Sequence, residues 1–448
     1  MNNRIIQIGT GAGYGGDRID PAVELSEYAD LDYLVFECLA ERTIALAQLE
    51  RLDDPAAGYN PLLEERIQAV AKNCLENDIT IISNMGAANV EGAVEKTAEI
   101  SREMDYSAQI AGVSGSDVLG SFDRFHTETF DETPIHDYEE GAVSADTYLG
   151  VDGIVTALEE GADIVLTGRV ADPSLFLAPL LYEFDWQLNP PLDSQRIGQG
   201  IVAAHLLECG GQVTGGYFAD PGYKDVPELD RLGFPIAHVS ESGTVEITKL
   251  PNTGGVVDTR TCAEQLLYEV HDPSAYITPD AVADFSRVEF EEVAPNQVAV
   301  TGANAAPRPD TLKVSVGYVD SYLGEGQISY AGPGATARAD LGAEIVRERL
   351  DQYATYEELR VDRIGIDSLH EELGRNHEHD PYEVRLRVVG NCPTEDDAKR
   401  IGREVQTLYT NGPAGGGGAT MTVQKVVGVV STLIDREYVE PQVVKVQL

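Results

Sequence analysis

The first half of the chain repeats one pattern: a short, continuously apolar run, then a helical stretch of about 10–15 residues, then another apolar run. Arg4–Ile8, Leu31–Glu37, Thr80–Asn84, Ala108–Val113 and Ala162–Gly168 are the apolar runs. Between them lie the helical patterns AVELSEYAD, AERTIALAQLER, NPLLEERIQAVAKNCLEN, Val90–Arg102 and VDGIVTALEEG, and ADPSLFLAPLLYEF follows the last. A strand that is apolar along its whole length has both faces buried, which requires a parallel sheet with helices on each side. The predicted fold class is therefore α/β, with an N-terminal doubly wound, mostly parallel sheet domain over residues 1–286. A hairpin, PIAHVSESGTVEITKL, is inserted late in it.

From Arg287 the texture changes. Short strands (VEFEEV, QVAVTG, TLKVSVGYVD), the helix ARADLGAEIVRERLDQY, the strands LRVDRIGI and YEVRLRVVG, and the helix TEDDAKRIGREVQTLY predict a smaller α+β domain. That order fits a ferredoxin-like two-layer arrangement over residues 287–448.

Charge narrows the function classes. The chain has 32 Lys+Arg against 76 Asp+Glu, a formal net charge of −44. Such a surface repels phosphate backbones and anionic lipid headgroups, which argues against nucleic-acid and membrane partners. The cations are 24 Arg and only 8 Lys. Excess carboxylate with scarce lysine fits a protein working in concentrated salt, where a Debye length of about 3 Å at 1 M screens self-repulsion. The expectation is a halophile's cytoplasmic protein. No run of about 18 apolar residues marks a membrane span, and the N-terminus enters a strand and a glycine loop rather than a signal peptide. Five dispersed cysteines without a CxxC pair indicate a reducing compartment and no cysteine-only metal site. His377 and His379, in RNHEHDPYE, read as a solvated loop or as a zinc pair; the site as a whole is expected to be metal-free.

Several motifs could carry chemistry. Gly11, Gly13 and Gly16 form GxGxxG directly after a strand, and Glu37 lies 21 residues beyond Gly16, where a ribose-binding acid would sit. The following helix opens at Asp20-Pro21, read as N-cap and first turn, and Asp17 puts a carboxylate where phosphate would approach. Nicotinamide binding, a general substrate or anion loop, and a structural turn all stay open. Asn84, at a strand end beside Gly86, is a ligand contact or a helix cap. Gly168-Arg169 follows the strand ADIVLT; Arg169 is an anion ligand or an internal ion-pair partner, and Asp172-Pro173 reads as another N-cap. His205 and Glu208 share a helix face at i, i+3, as an acid/base or metal pair or as a satisfied buried histidine. Tyr217 follows Gly215-Gly216, and Lys224 is a candidate for an acidic substrate. Asn411, Gly415 and Gly416 belong to a glycine run that forms an anion nest or a hinge. GxSxG, GxxxxGK[ST] and HExxH are absent from the sequence.

Longer stretches add a resemblance. LDYLVFECLAER, Ile82–Ala87, the block Tyr148–Trp186, HLLECGGQVTGGYFADPGYKDVP, EQLLYEVHDPSAYITPDAVADF, SLH and LYTNGPAGGGG resemble the acyclic terpene utilization AtuA family. Glu37-Cys38 stands where the family pattern leads one to expect Asp-Tyr, whereas Glu41 keeps it. The resemblance implies catabolism of branched acids or acyl-CoA thioesters, such as geranyl-CoA, and a small companion subunit. It supplies no established catalytic residues and no known cofactor.

Three function hypotheses follow. The first is a lyase or hydratase of branched-chain acid or acyl-CoA catabolism. In it Gly11, Gly13, Asn84, Gly168, Arg169, Tyr217, Lys224, Asn411, Gly415 and Gly416 bind substrate, and Glu41, Asp172 or Glu208 moves protons. The second is a non-catalytic, acyl-CoA-binding subunit of a hetero-complex. The third is an NAD-dependent oxidoreductase. A homo-oligomer is expected in each case.

Overall fold

The computed structural model describes residues 4–189, 192–370 and 381–447. They form two compact units: Met1–Gly317 with Val429–Leu448, and Tyr318–Gly428.

The first unit is built on a mixed sheet. Its early strands are β1 (Ile5–Ala12), β2 (Tyr33–Phe36), β3 (Thr80–Ser83), β4 (Gln109–Ser114), β5 (Ala142–Thr147), β6 (Ile164–Thr167), β7 (Pro235–Ser240) and β8 (Val245–Lys249). Later along the whole chain, across both units, come β9 (Tyr276–Ile277), β10 (Val282–Asp284), β11 (Glu289–Ala294), β12 (Gln297–Thr301), β13 (Asn304–Ala306), β14 (Thr311–Ala331), β15 (Glu358–Ile364), β16 (Glu383–Cys392), β17 (Gly417–Asp435) and β18 (Gln442–Gln447). The ten-stranded sheet runs β11-β12-β8-β7-β1-β2-β3-β6-β4-β18. Neighbours from β1 through β4 in that order pair in parallel; the strands outside them pair antiparallel. The α/β class read from the sequence is thus observed, with a large mixed sheet. β1 is longer than the apolar pattern indicated. It runs through Ala12, so Gly11 lies in the strand rather than in the loop. A Cβ at Gly11 would stand 2.5 Å from the Phe36 ring on β2, so glycine here admits that aromatic side chain.

Helices α1 (Asp20–Tyr28), α2 (Glu41–Asp53), α3 (Leu63–Glu76), α4 (Val90–Glu103), α5 (Asp152–Glu159), α6 (Asp172–Phe184), α7 (Ser194–Glu208) and α8 (Thr259–Leu267) follow the strands. Successive strand residues point to opposite faces, and the core divides accordingly. Leu34, Phe36 and Ile81 pack with Leu25, Ile67 and Val94 of α1, α3 and α4. Tyr33, Val35 and Ile82 share the other cluster with Ile154, Leu175 and Ile201 of α5, α6 and α7. The connection leaving β3 therefore covers one face and that leaving β6 the other. Between adjacent strands of this kind the carboxyl ends diverge into a crevice, the usual ligand position in open α/β sheets.

Two cap assignments need correction. Asp20 and Asp172 are first helical residues, with Ile19 and Ala171 at the cap positions and no side-chain cap bond at either. The Asp172 carboxylate is drawn to Arg169 instead.

In the second unit, β15, β16, β14 and β17 form a sheet in that order, with β14 and β16 antiparallel from Tyr322–Ala331 against Glu383–Cys392. Helices α9 (Ala335–Tyr353) and α10 (Glu395–Asn411) pack on it through Ala339, Val346, Ile401 and Val405.

Candidate functional site

Loops at the carboxyl ends of β2, β3 and β6 interlock through buried polar groups. Asn84, fully buried after β3, accepts a hydrogen bond from the Cys38 backbone N–H at 2.6 Å and donates to Glu37 Oε1 at 3.1 Å. Glu37 Oε1 also accepts from the Leu39 N–H at 2.8 Å. Asn84 thus holds the loop after β2; the cap of α4 is Asn89. Glu37 turns its carboxyl to Leu39 and Asn84, and burial, then the Asp172 charge, push it well above the usual carboxylate range. The Leu39 N–H, Arg169 and Asn84 oppose that shift.

Arg169 is only 2% exposed. Its Nη2 donates to Asp172 Oδ1 at 2.9 Å, its Nη1 to the Leu39 carbonyl, and its guanidinium carbon stands 4.1 Å from the Tyr148 ring centroid. Its buried Nε has no partner. The geometry therefore spends most of this fork on internal contacts. Asp172 keeps a third of its side chain open, 34% exposed, at the N-terminus of α6, where the helix dipole favours an anion. Burial nevertheless raises it, with Glu269 adding to the shift and Arg169 opposing it.

Glu37 and Asp172 both line a cleft of about 440 Å³, together with Asp17, Glu269, Cys209 and Tyr217. Four carboxylates and one arginine, Arg18, are its charged lining. Tyr217 is 90% exposed and holds φ +60°, a left-handed conformation uncommon for a non-glycine residue. Gly13 lines the same cleft, with its N–H donated to Asp17 Oδ2 at 2.9 Å. A Cβ there would lie 2.3 Å from the Cys209 carbonyl carbon. The glycine loop is thus packed against the end of α7, and Asp17 takes the N–H that a pyrophosphate would need.

Glu41, the first residue of α2, accepts from the Tyr148 hydroxyl at 2.8 Å and pairs with Lys313. Burial raises Glu41, but Lys313 and Tyr148 outweigh it and leave the carboxyl below its ordinary value. Neither Glu41 nor Lys313, 272 residues away, is in the lining of the cleft; sequence reasoning missed Lys313, whose signal was only that lysine is rare and that it interrupts an apolar strand.

His205 and Glu208 are both buried and bond at 2.7 Å, with His205 Nε2 at 3.2 Å from the Leu266 carbonyl. Burial pushes Glu208 up to about 7 against the pull of His205. Burial lowers His205, but the Glu208 charge leaves it above its usual value. Glu208 Oε2 has no partner, and the adjoining Cys209 reaches the cleft. Lys224 lies in a separate groove beside Phe218 and Arg260, paired with Glu264 at 2.5 Å.

Gly168 is wedged 3.1 Å, at its virtual Cβ, from the Ala87 carbonyl. Asn411, Gly415 and Gly416 belong to the second unit. There Asn411 donates to the Thr407 carbonyl at 3.1 Å, and Arg338 donates to the Ala414 carbonyl at 3.2 Å. No group of three or more His, Cys, Asp or Glu side chains suited to a metal occurs among the described residues. His377 and His379 lie outside them. Among the described residues no helix is long and apolar enough to cross a membrane.

No curated protein and no solved structure matches the chain. The profile of the acyclic terpene utilisation family protein AtuA matches residues 6–445, nearly the whole length and every element of the cleft. On that match the chain belongs to the AtuA family of acyclic terpene utilisation proteins.

Proposed function

We propose that the cleft performs acid–base chemistry on a branched acyl group, as a lyase or hydratase acting on a CoA thioester. The observation that carries this reading is the placement of Glu37 and Asp172 on one cleft, one held by Asn84 and the Leu39 N–H, the other by Arg169. Two carboxyls whose environments differ divide naturally into an acid and a base. Asp172, beside Arg169, takes the proton from the carbon next to the thioester carbonyl. Glu37, the more deeply buried of the two carboxyls, gives its proton to the departing hydroxyl, which leaves as water as the double bond forms. The reverse sequence is hydration. Four carboxylates around the cleft repel a free carboxylate at the reacting end, where a thioester carbonyl is uncharged; the anionic CoA phosphates lie away from this lining. Arg169 and Tyr148 act by positioning, and Glu208 lies one residue from the cleft wall.

The test is conversion of branched 3-hydroxyacyl-CoA and 2-enoyl-CoA esters by the purified chain, read from the enoyl thioester absorbance. Glu37→Gln and Asp172→Asn should each remove turnover with the fold intact. Full activity in both variants overturns the assignment.

Two broader expectations accompany it. The net charge of −44 supports work in a salt-rich cytoplasm. The β-α-β-β-α-β order of the second unit's described elements supports a ferredoxin-like fold.

A further inference from the structure

A second, smaller cavity of about 130 Å³ opens at the carboxyl ends of β3 and β4. Its charged lining is Glu91, Asp117, Asp146 and Arg51, so carboxylates outnumber guanidinium three to one. Asp117 and Asp146 face each other across an isolated antiparallel bridge, which puts both side chains on one face of the ribbon. Ser144, two residues before Asp146 in β5, shares that face. It lines the cavity, is 3% exposed, and its hydroxyl has no hydrogen-bond partner. Asp146 is 6% exposed and receives one hydrogen bond, from Ser116 Oγ to Oδ1 at 3.1 Å. Arg51, the one cation in the lining, donates to the Ala88 carbonyl.

We infer that this cavity binds one divalent cation of the hard, oxygen-seeking kind, held by Asp117 and Asp146 with the Ser144 hydroxyl as a third oxygen. Two carboxylates brought together at this bridge, Asp146 buried and Asp117 exposed, repel each other, and either a proton or a cation relieves that repulsion. A magnesium-like ion commonly takes only one or two carboxylates and keeps several waters, which suits this donor set and a cavity of this size. The ion would tie the loop after β4 to β5.

The experiment uses the full chain, treated with chelator and exchanged into buffer rich in monovalent salt, so that diffuse attraction of cations to the acidic surface is screened. Mn²⁺ is titrated and counted by electron paramagnetic resonance, and melting temperature is followed with Mg²⁺, Mn²⁺ and Ca²⁺. One Mn²⁺ per chain and a saturable rise in melting temperature are expected. Asp146→Asn should abolish both, Asp117→Asn should weaken affinity at least tenfold, and Ser144→Ala several-fold. Asp146→Asn has the shape of the protonated acid, and circular dichroism confirms its fold; Asp117→Asn changes an exposed residue and tests the same ion independently. Absence of saturable binding overturns the inference. So does binding of many ions that neither aspartate substitution changes.

Discussion

The Arg169 guanidinium stands 4.1 Å from the centroid of the Tyr148 ring, while the Tyr148 hydroxyl donates to Glu41 at 2.8 Å. One tyrosine thereby links the cation beside Asp172 to the carboxylate paired with Lys313. Lysine at position 169 cannot reach Leu39 and Asp172 together or stack as a plane. Arg169→Lys should cost about 2–4 kcal/mol in a urea titration, as when a buried pair loses its geometry. Tyr148→Phe keeps the ring and should cost only about 1 kcal/mol. A lysine variant as stable as wild type would show that the fork is not what holds Asp172.

Glu37→Gln separates chemistry from folding. Burial raises the carboxyl, so its neutral isostere removes the desolvation cost of the charged form. Stability should hold or rise slightly, while turnover of the thioester falls by about 10²–10⁴-fold, the usual share of a general acid. A variant that retains turnover but melts earlier would assign Glu37 a structural role.

Gly13→Ala tests the glycine loop. Its Cβ would meet the Cys209–Gly210 backbone at 2.3–2.6 Å, which no rotamer change relieves. A loss of about 2–3 kcal/mol is expected, the upper range for overpacking. Thermal melts with and without NAD are the measurement. An alanine variant with native stability that loses an NAD-induced shift would restore the dinucleotide reading.

Asp280 should impose a pH dependence on stability. Its Oδ1 accepts from the Val151 N–H at 2.9 Å and its Oδ2 from Ser174 Oγ at 2.6 Å, joining the starts of α5 and α6. Burial pushes its carboxyl up to about 6. The folded value exceeds the unfolded one, so the native state binds the proton more tightly. That stability is complete below about pH 4 and is lost as pH rises through about 6, a change on the order of 3 kcal/mol. Asp280→Asn should flatten this part of the curve, measured as unfolding free energy between pH 4 and 7.5. An unchanged slope would place the linkage elsewhere.

The apolar runs and their helices were legible because a strand buried on both faces leaves a local mark. Asn84 and Arg169 were visible as polar groups at strand ends for the same reason. What the sequence could not show is which groups they meet. Glu37 has the spacing of a ribose acid, yet its orientation is set by Asn84, 47 residues later. Asp172 before proline has the look of a cap, but the Arg169 fork three residues earlier competes successfully for its carboxylate. The Glu41–Lys313 pair spans 272 residues and leaves no periodicity to read. The hairpin of β11 and β12 is evident locally, whereas its attachment to β8 depends on register across the fold.

Strand β18 pairs with β4 over six residues, Gln442 to Gln447 against Ser114 to Gln109. Its partner is made more than three hundred residues earlier on the ribosome. During synthesis β4 consequently presents an open, apolar border for most of the chain's emergence, the kind of exposed edge that recruits stray strands. Closure arrives only with residues 442–447, so a message truncated just before them would yield a protein with every cleft-lining residue present and an adhesive flank.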